Sequence, residues 1–236
     1  MRIFLTCFSI VIWWSSCLFG YHHQFLVLQT AEQLYPRQAV IGISHRFLGE
    51  ILSDNGTFGQ NLGANVGFFA KFGLPKQQVI NMCSFSLYSQ TGLSYKKSFH
   101  YKNSQWYGAV LHLDQLTLNS TQHQTASLTM FYALVNESLD VVINTIYKDY
   151  FPSVQVGFGV AWQVIPKVKL FYEGLSFANQ YASYPNHIFG SKIMTFGHNF
   201  YLFIANENNV GFIPASSGSS SNNIYCGFKI ERIFDF

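Results

Sequence analysis

Hydrophobic and polar residues alternate along two long stretches of the chain. In NLGANVGFFAKFGL, residues 61–74, large apolar side chains occupy every second position. The positions between them carry Asn, Gly and Lys, with Phe69 as the exception. SVQVGFGVAWQV, residues 153–164, repeats the arrangement with Gln, Gly and Ala on the second face. Alternation with a period of two predicts β-strands whose two faces meet different environments.

Further segments show the same period less strictly, and together with the first two they give about twelve strands. An even number of strands is typical of single-chain bacterial outer-membrane barrels. The remaining predicted strands cover residues 38–47, 78–88, 94–101, 105–114, 124–134, 139–148, 168–177, 189–195, 198–205 and 223–236.

Composition decides which face of these strands meets water. Charged residues make up 11% of the chain, against roughly 25% in typical soluble domains, and aromatic residues make up 18%. A face of Gly, Asn, Gln and Ser with few charges is a poor soluble exterior but a suitable barrel lumen, whereas a bulky apolar face suits lipid. No stretch after the N-terminal region reaches the ~20 apolar residues of a spanning helix. The sequence therefore predicts an all-β fold, a transmembrane antiparallel up-and-down β-barrel over residues 38–236.

The lengths of the predicted connections give an independent indication of topology. Every clear short turn follows an even-numbered strand, and every long connection follows an odd-numbered one. Outer-membrane barrels have short periplasmic turns and longer outer loops, so we expect both termini of the barrel on the periplasmic side. The short turns are Pro75-Lys76, Asn103-Ser104, Asn136-Glu137, Pro166-Lys167 and Phe196-Gly197, and the long connections cover residues 48–60, 115–123, 178–187 and 207–222.

The N-terminal region precedes the first strand. Residues 1–20 have the pattern of a secretory signal peptide: Arg2, an apolar run, then small residues. Residues 21–37 are expected to form a short periplasmic segment, with a plug inside the barrel as the alternative. Two cysteines remain beyond residue 20, Cys83 and Cys226. They fall on strands that are not neighbours, so two free, buried thiols are expected.

The C-terminal strand ends on an aromatic residue. Counting back in twos from Phe236 places Phe228, Ile230 and Phe234 on its lipid face, together with Arg232. An arginine near the periplasmic end costs roughly 0–1 kcal/mol, because its head group reaches the interface. We interpret Phe228, Ile230, Phe234 and Phe236 as the signal that the barrel-assembly machinery reads during insertion.

Three segments carry a family resemblance. IGISHRFLGEI (residues 41–51), TFGHNFYLFIANEN (195–208) and CGFKIERIF (226–234) resemble a family of outer-membrane β-barrel proteins of unknown function from Bacteroidota. Members have a His-Arg-Phe first strand, a Thr-Gly-Gly-His turn and a final Gly-Phe…Arg-Phe strand. This chain departs from the pattern with Phe196 at the first glycine of the turn and with a shorter third-to-fourth strand region. The resemblance implies an outer-membrane barrel and supplies no activity.

Parity along the strands points several charged residues into the lumen. Both signs are present, and isolated charges in a narrow lumen are expensive, so salt-bridged pairs are expected. The charges would either form a constriction that tunes selectivity or fill and rigidify the barrel, and Phe69 and Phe171 also point inward. The predicted lumen charge ladder consists of Arg46, Lys71, Lys169, Glu173, Lys229 and Glu231.

Enzymatic motifs are scarce. Ser191, His198 and Asn199 have only loose spacing, and a triad is defined by geometry. His112 and Asp114 fall on one face near the outer rim, and the histidines show no metal-ligand spacing. We expect no catalytic residue, no metal site, no cofactor and no nucleic-acid partner.

The expected function is a structural or binding role for an outer-membrane barrel with a mostly self-filled lumen. The alternative is a narrow channel for small solutes. Barrels of about eight strands are filled and barrels of sixteen or more are porous, so about twelve strands leave both open. The expected partners are the lipid bilayer and the barrel-assembly machinery, with a small solute under either function.

Overall fold

The computed structural model describes residues 26–30, 34–51, 60–85, 90–102, 104–118, 121–136, 138–149, 153–175, 184–207, 219 and 223–236. Twelve antiparallel strands each pair with the next, and β1 pairs with β12, which closes a barrel. The predicted fold class is confirmed. The strands are Gln38–Phe47 (β1), Ala64–Leu74 (β2), Gln78–Phe85 (β3), Gln90–His100 (β4), Gln105–Leu118 (β5), Thr121–Val135 (β6), Leu139–Lys148 (β7), Ser153–Ile165 (β8), Val168–Leu175 (β9), Asn186–Thr195 (β10), His198–Ala205 (β11) and Tyr225–Asp235 (β12), and a single 3₁₀ turn covers Gln60–Leu62.

The predicted assignment of the two strand faces agrees with the burial of β8. Val156 and Phe158 are 38% and 39% exposed on the outside, whereas Gln155 and Ala161 are fully buried inside. The same arrangement recurs around the barrel, where the outer surface carries Phe68, Leu93, Leu111, Met130, Ile143, Phe189 and Leu202. No helix among the described residues is long and apolar enough to cross a membrane.

The predicted sorting of turns by length holds only in part, because the connections after β3, β5 and β7 contain only two to four residues. Connections after even-numbered strands contain two to four residues, and they lie at the end of the barrel where Gln38 pairs with Asp235. The predicted long connection at residues 115–123 is wrong, because β5 and β6 stay paired up to Leu118 and Thr121. Thr117 and Thr121 at the ends of the two strands are β-branched residues, which favour strands.

Some strand bounds also differ from prediction. β4 begins at Gln90 and not at residue 94, and β10 begins at Asn186 and not at residue 189. Both extensions begin with a polar, inward-facing residue, so no apolar periodicity marks them. The predicted signal peptide, residues 1–20, lies outside the described residues, as does most of the loop at 207–222.

Inward-facing glycines pair with phenylalanines directly across the strand boundary. A Cβ atom at Gly42 would lie 2.1 Å from Cζ of Phe69, its register partner on β2. The phenyl ring therefore lies flat over the glycine against the barrel wall, where a larger residue would clash. Five such pairs line the lumen: Gly42–Phe69, Gly67–Phe85, Gly108–Phe131, Gly190–Phe171 and Gly227–Phe203.

The lumen as candidate functional site

Many charged side chains are buried in the lumen of the barrel. All six predicted ladder residues, Arg46, Lys71, Lys169, Glu173, Lys229 and Glu231, are buried within the barrel. Further buried charges are Lys96, Asp114, Asp140, Lys148, Lys192 and Glu207. Among the described residues, seven cationic and five acidic side chains are thus buried, so their formal charge, with every group counted as ionised, is two positive.

Sequence reasoning missed several of these charges for identifiable reasons. Lys96 adjoins Lys97, and only the neighbouring small residues Ser94 and Ser98 on its face indicate which lysine points inward. Asp140 and Lys148 share the parity of Asn144 on β7, so counting along that strand would have found both. Lys192 follows the inward residues Ile188 and Gly190, whose apolar character gives no such signal.

Some of the charges form close ion pairs. Lys169 Nζ lies 2.7 Å from Asp140 Oδ2, and Lys229 Nζ lies 2.6 Å from Glu231 Oε1. The Tyr201 hydroxyl also donates to Glu231 at 3.0 Å. Arg46 lies on β1, next to the strand β12 that carries Glu231. Its Nη1 atom nevertheless donates to the backbone carbonyl of Glu207, at 3.0 Å.

The candidate catalytic and metal-binding residues do not form a reactive site. Ser191 lies on the outer face of β10, whereas Asn199 is buried inside and donates to Glu231. His198 stacks on Phe200 at the end of β11. The three side chains therefore do not meet.

His112 and Asp114 are buried in the lumen wall and are not a solvated pair at the rim. Asp114 accepts a hydrogen bond from Gln90 Nε2 at 2.8 Å. No group of three or more His, Cys, Asp or Glu side chains within the described ranges could hold a metal ion. Cys83 and Cys226 are free thiols and are only half-buried, where full burial was expected.

Residues 26–30, here named the inner segment, run through the lumen. The Glu173 carboxylate accepts hydrogen bonds from three consecutive backbone amides: Leu26, then Val27 and Leu28 at 2.9 Å each. Asn144 binds both backbone groups of Gln29, accepting from its amide at 2.7 Å and donating to its carbonyl at 2.9 Å. A fully buried carboxylate and a buried carboxamide on the barrel wall thus hold the inner segment.

Apolar packing reinforces this position. Leu28 is fully buried and lies over Gly157, where an added Cβ would come within 2.7 Å of its Cδ2 atom. Val27 and Leu28 belong to the same core cluster as Phe171, Tyr201 and Phe203. The glycine on the lumen face of β8 leaves the room that the leucine occupies.

Residues 34–37 lie between the inner segment and β1 in the chain. A Cβ at Gly73 would lie 2.2 Å from the carbonyl oxygen of Tyr35, so the chain passes close to the wall there. Leu34 packs with Val40 and Val79, and Phe69 borders this cluster. The described parts of residues 21–37 therefore contact the lumen side of the barrel.

A cavity of about 110 Å³ lies between the inner segment and the wall formed mainly by β1 to β5. Its charged lining consists of Arg46, Lys71, Lys96, Lys229 and Asp114. His112, Phe69 and Gln29 also border it. This cavity could not be predicted from local sequence patterns, because it depends on where residues 26–30 lie.

Comparison with known proteins gives a likeness of fold. No protein-family model matches the chain, and no curated protein sequence does. The family resemblance noted from the sequence therefore stays a prediction.

Among solved structures, the KdgM porin has a TM-score of 0.56 at 9% identity, covering 84% of this chain and 99% of that chain. A complex of the KdgM porin with disordered oligogalacturonate has a TM-score of 0.53 at 8% identity, with the same coverage. The NanC porin has a TM-score of 0.51 at 6% identity and again the same coverage. The chain therefore has the closed β-barrel fold of these porins.

Proposed function

We propose that the chain is an outer-membrane β-barrel whose lumen is closed by its own residues, with a structural or binding role. The observation that carries the proposal is the inner segment held inside the barrel by Glu173. Residues 1–20 would direct export, and the barrel end with the termini and the short turns would face the periplasm.

Both energetics and space favour a closed lumen. A buried carboxylate without partners is costly, and charge-assisted hydrogen bonds from three amides satisfy it. Moving the inner segment out of the barrel would leave Glu173 and Asn144 without these partners. The rings of Phe171, Tyr201 and Phe203 belong to the same buried cluster as Leu28, so they fill part of the lumen beside it.

Conductance in a planar lipid bilayer tests this proposal. We expect the wild type to be silent and the double variant Glu173→Ala, Asn144→Ala to open discrete current steps, because both anchors of the inner segment are lost. Gln155→Ala is the matched control, since it removes a fully buried lumen carboxamide that makes no hydrogen bond to the inner segment. Steady wild-type conductance equal to that of the double variant would contradict a closed lumen.

A narrow channel for small solutes is the second candidate. It is favoured by buried polar groups without a protein partner among the described residues, including both amide atoms of Gln155 and the hydroxyl of Thr129. Buried groups of this kind in native proteins usually bind water or a solute. If the wild type conducts, the positive interior predicts a preference for anions, which the reversal potential in a salt gradient would measure.

We also propose that the C-terminal strand is the assembly signal, through Phe228, Ile230, Phe234 and Phe236. Phe236 is 70% exposed at the end of the chain, so packing within the barrel does not explain it. Phe236→Ala should lower the fraction of folded barrel in cells, measured by heat-modifiable gel migration. Phe196→Ala, at an exposed turn, is the control and should leave that fraction unchanged.

A further inference from the structure

We propose that the lumen cavity bordered by Arg46, Lys71 and Lys96 is a binding site for one small oxyanion, a carboxylate or a phosphate. The proposal rests on the proposed function, because the inner segment forms one side of the cavity. It names this cavity as the site of the proposed binding role and a small oxyanion as its ligand.

The charges around the cavity are unequal. Arg46, Lys71, Lys96 and Lys229 border it, and Asp114 is its one acidic lining residue within the described chain. Four cations and one carboxylate therefore line the cavity, and one of the cations, Lys229, lies 2.6 Å from Glu231.

Acidic groups beyond the lining offset part of this charge. Glu207 and Glu173 attract Arg46, and Glu231 attracts Lys71. With these included, the described interior as a whole still carries more positive than negative charge. Excess charge in a low-dielectric interior is unfavourable, and a bound anion would offset it.

Arg46 supplies the geometry for oxyanion recognition. It is 2% exposed, and its guanidinium carbon lies 5.3 Å from the centre of the Phe203 ring, which restrains the planar group. Nη1 donates to the neutral carbonyl of Glu207, while Nε has no hydrogen-bond partner among the described residues. A guanidinium group binds carboxylate and phosphate through adjacent N–H donors.

The lysines complete the site from two sides. The ammonium groups of Lys71 and Lys229 lie 5.4 and 4.8 Å from the centre of the Phe69 ring. Both cations therefore contact the same aromatic side chain. Lys96 Nζ donates to the carbonyl of Thr30 at 3.1 Å, which joins the cavity to the inner segment.

The size of the cavity limits the ligand. A space of about 110 Å³ holds several waters or one small oxyanion. Phe69, Val79 and Val110 provide an apolar side suited to the carbon atoms of a short carboxylate.

Isothermal titration of the full chain, refolded in detergent, tests the proposal with two probes, inorganic phosphate and acetate. We expect saturable one-site binding of at least one probe, and no saturable binding of glycerol as the neutral control. Which probe binds more tightly decides between phosphate and carboxylate. Arg46→Gln and Lys71→Gln should each weaken binding about tenfold or more, as expected for losing a charged hydrogen-bond donor.

Lys192→Gln is the matched control, because Lys192 is a fully buried lumen cation outside the cavity lining. It should leave binding unchanged. Heat-modifiable gel migration verifies that each variant is folded. If Arg46→Gln does not fold, Lys71→Gln alone provides the comparison.

The absence of saturable binding of either probe to the folded wild type would overturn the site. So would an equal loss in Lys192→Gln, because binding would then reflect net charge alone. Conductance of the same preparation is a separate readout: a silent barrel that binds no anion overturns only the site, and a conducting barrel that binds one overturns only the closed lumen.

Discussion

At the residue scale, twelve of the charged side chains in the described part of this protein are buried, and the outer face of its strands is largely apolar. Burial of Lys169 and Asp140 is tolerated because the two groups form a 2.7 Å ion pair in the lumen wall. Asp140 also accepts a hydrogen bond from the backbone amide of Asn136, which joins the pair to a periplasmic-side turn in our proposed orientation. Removing one partner of a buried pair leaves an uncompensated charge.

We predict that Asp140→Asn lowers the free energy of unfolding by about 3–5 kcal/mol, the usual cost of breaking a buried pair. Urea unfolding in lipid vesicles, followed by tryptophan fluorescence, measures the change. Asp235→Asn is the control, because Asp235 is exposed and its contact with Gln38 should contribute roughly 0–1 kcal/mol. If both variants lose the same amount, burial is not the cause.

Counting in twos along a strand predicts some of the buried lumen charges and misses others. Counting in twos places Arg46, Lys71 and Glu173 inside without any structure, because a β-strand alternates its faces. It fails for Lys192, whose neighbours on the same face, Ile188 and Gly190, are apolar. Parity therefore finds a lumen charge only where the alternation along its strand is clear enough to distinguish the two faces.

At the element scale, the wall depends on glycines that accept an aromatic ring from the next strand. Gly42 and Phe69 are register partners, and the ring occupies the space that a Cβ would need. This arrangement gives the aromatic rings room on the lumen side of the wall.

We predict that Gly42→Ala destabilises the barrel by about 1–3 kcal/mol, because the added methyl group displaces the Phe69 ring. Phe69→Leu in the same chain should recover part of the loss, so a double-mutant cycle should give a coupling term of about 0.5 kcal/mol or more. Additive losses across the cycle would show that the ring does not fill the glycine's space.

The two-residue turns provide a second test at this scale. Lys167 adopts a φ of 72° after Pro166, and Gly197 adopts a φ of 75° at the equivalent place after Phe196. A positive φ at this turn position favours glycine. We predict that Lys167→Gly stabilises the barrel by up to about 1 kcal/mol and that Gly197→Ala destabilises it by a similar amount. Shifts of the same sign in urea unfolding would contradict this reading of the turns.

At the scale of the whole molecule, an apolar exterior and a polar, positively charged interior fit a barrel in a bilayer. Val160 lies near the middle of β8 and Val164 near its end, both on the outer face. The depth of a residue in the membrane should therefore set the cost of placing a charge there.

We predict that Val160→Arg costs about 2–4 kcal/mol, whereas Val164→Arg costs about 0–1 kcal/mol, because an arginine near the interface can reach the head groups. Unfolding in vesicles measures both values, and the same starting residue on one strand makes the comparison direct. Equal costs at the two depths would contradict a membrane-spanning β8.

The barrel, the number of its strands and the outward face of most strands could be predicted from the amino-acid sequence. These features follow from composition and from period-two alternation, which is local to each strand. The contents of the lumen became clear only from the folded chain. Glu173 meets the amides of residues 26–28, and Gly157 makes room for Leu28, through contacts between positions more than a hundred residues apart. No local pattern encodes such contacts, because they arise only when the closed wall brings those positions around one enclosed space.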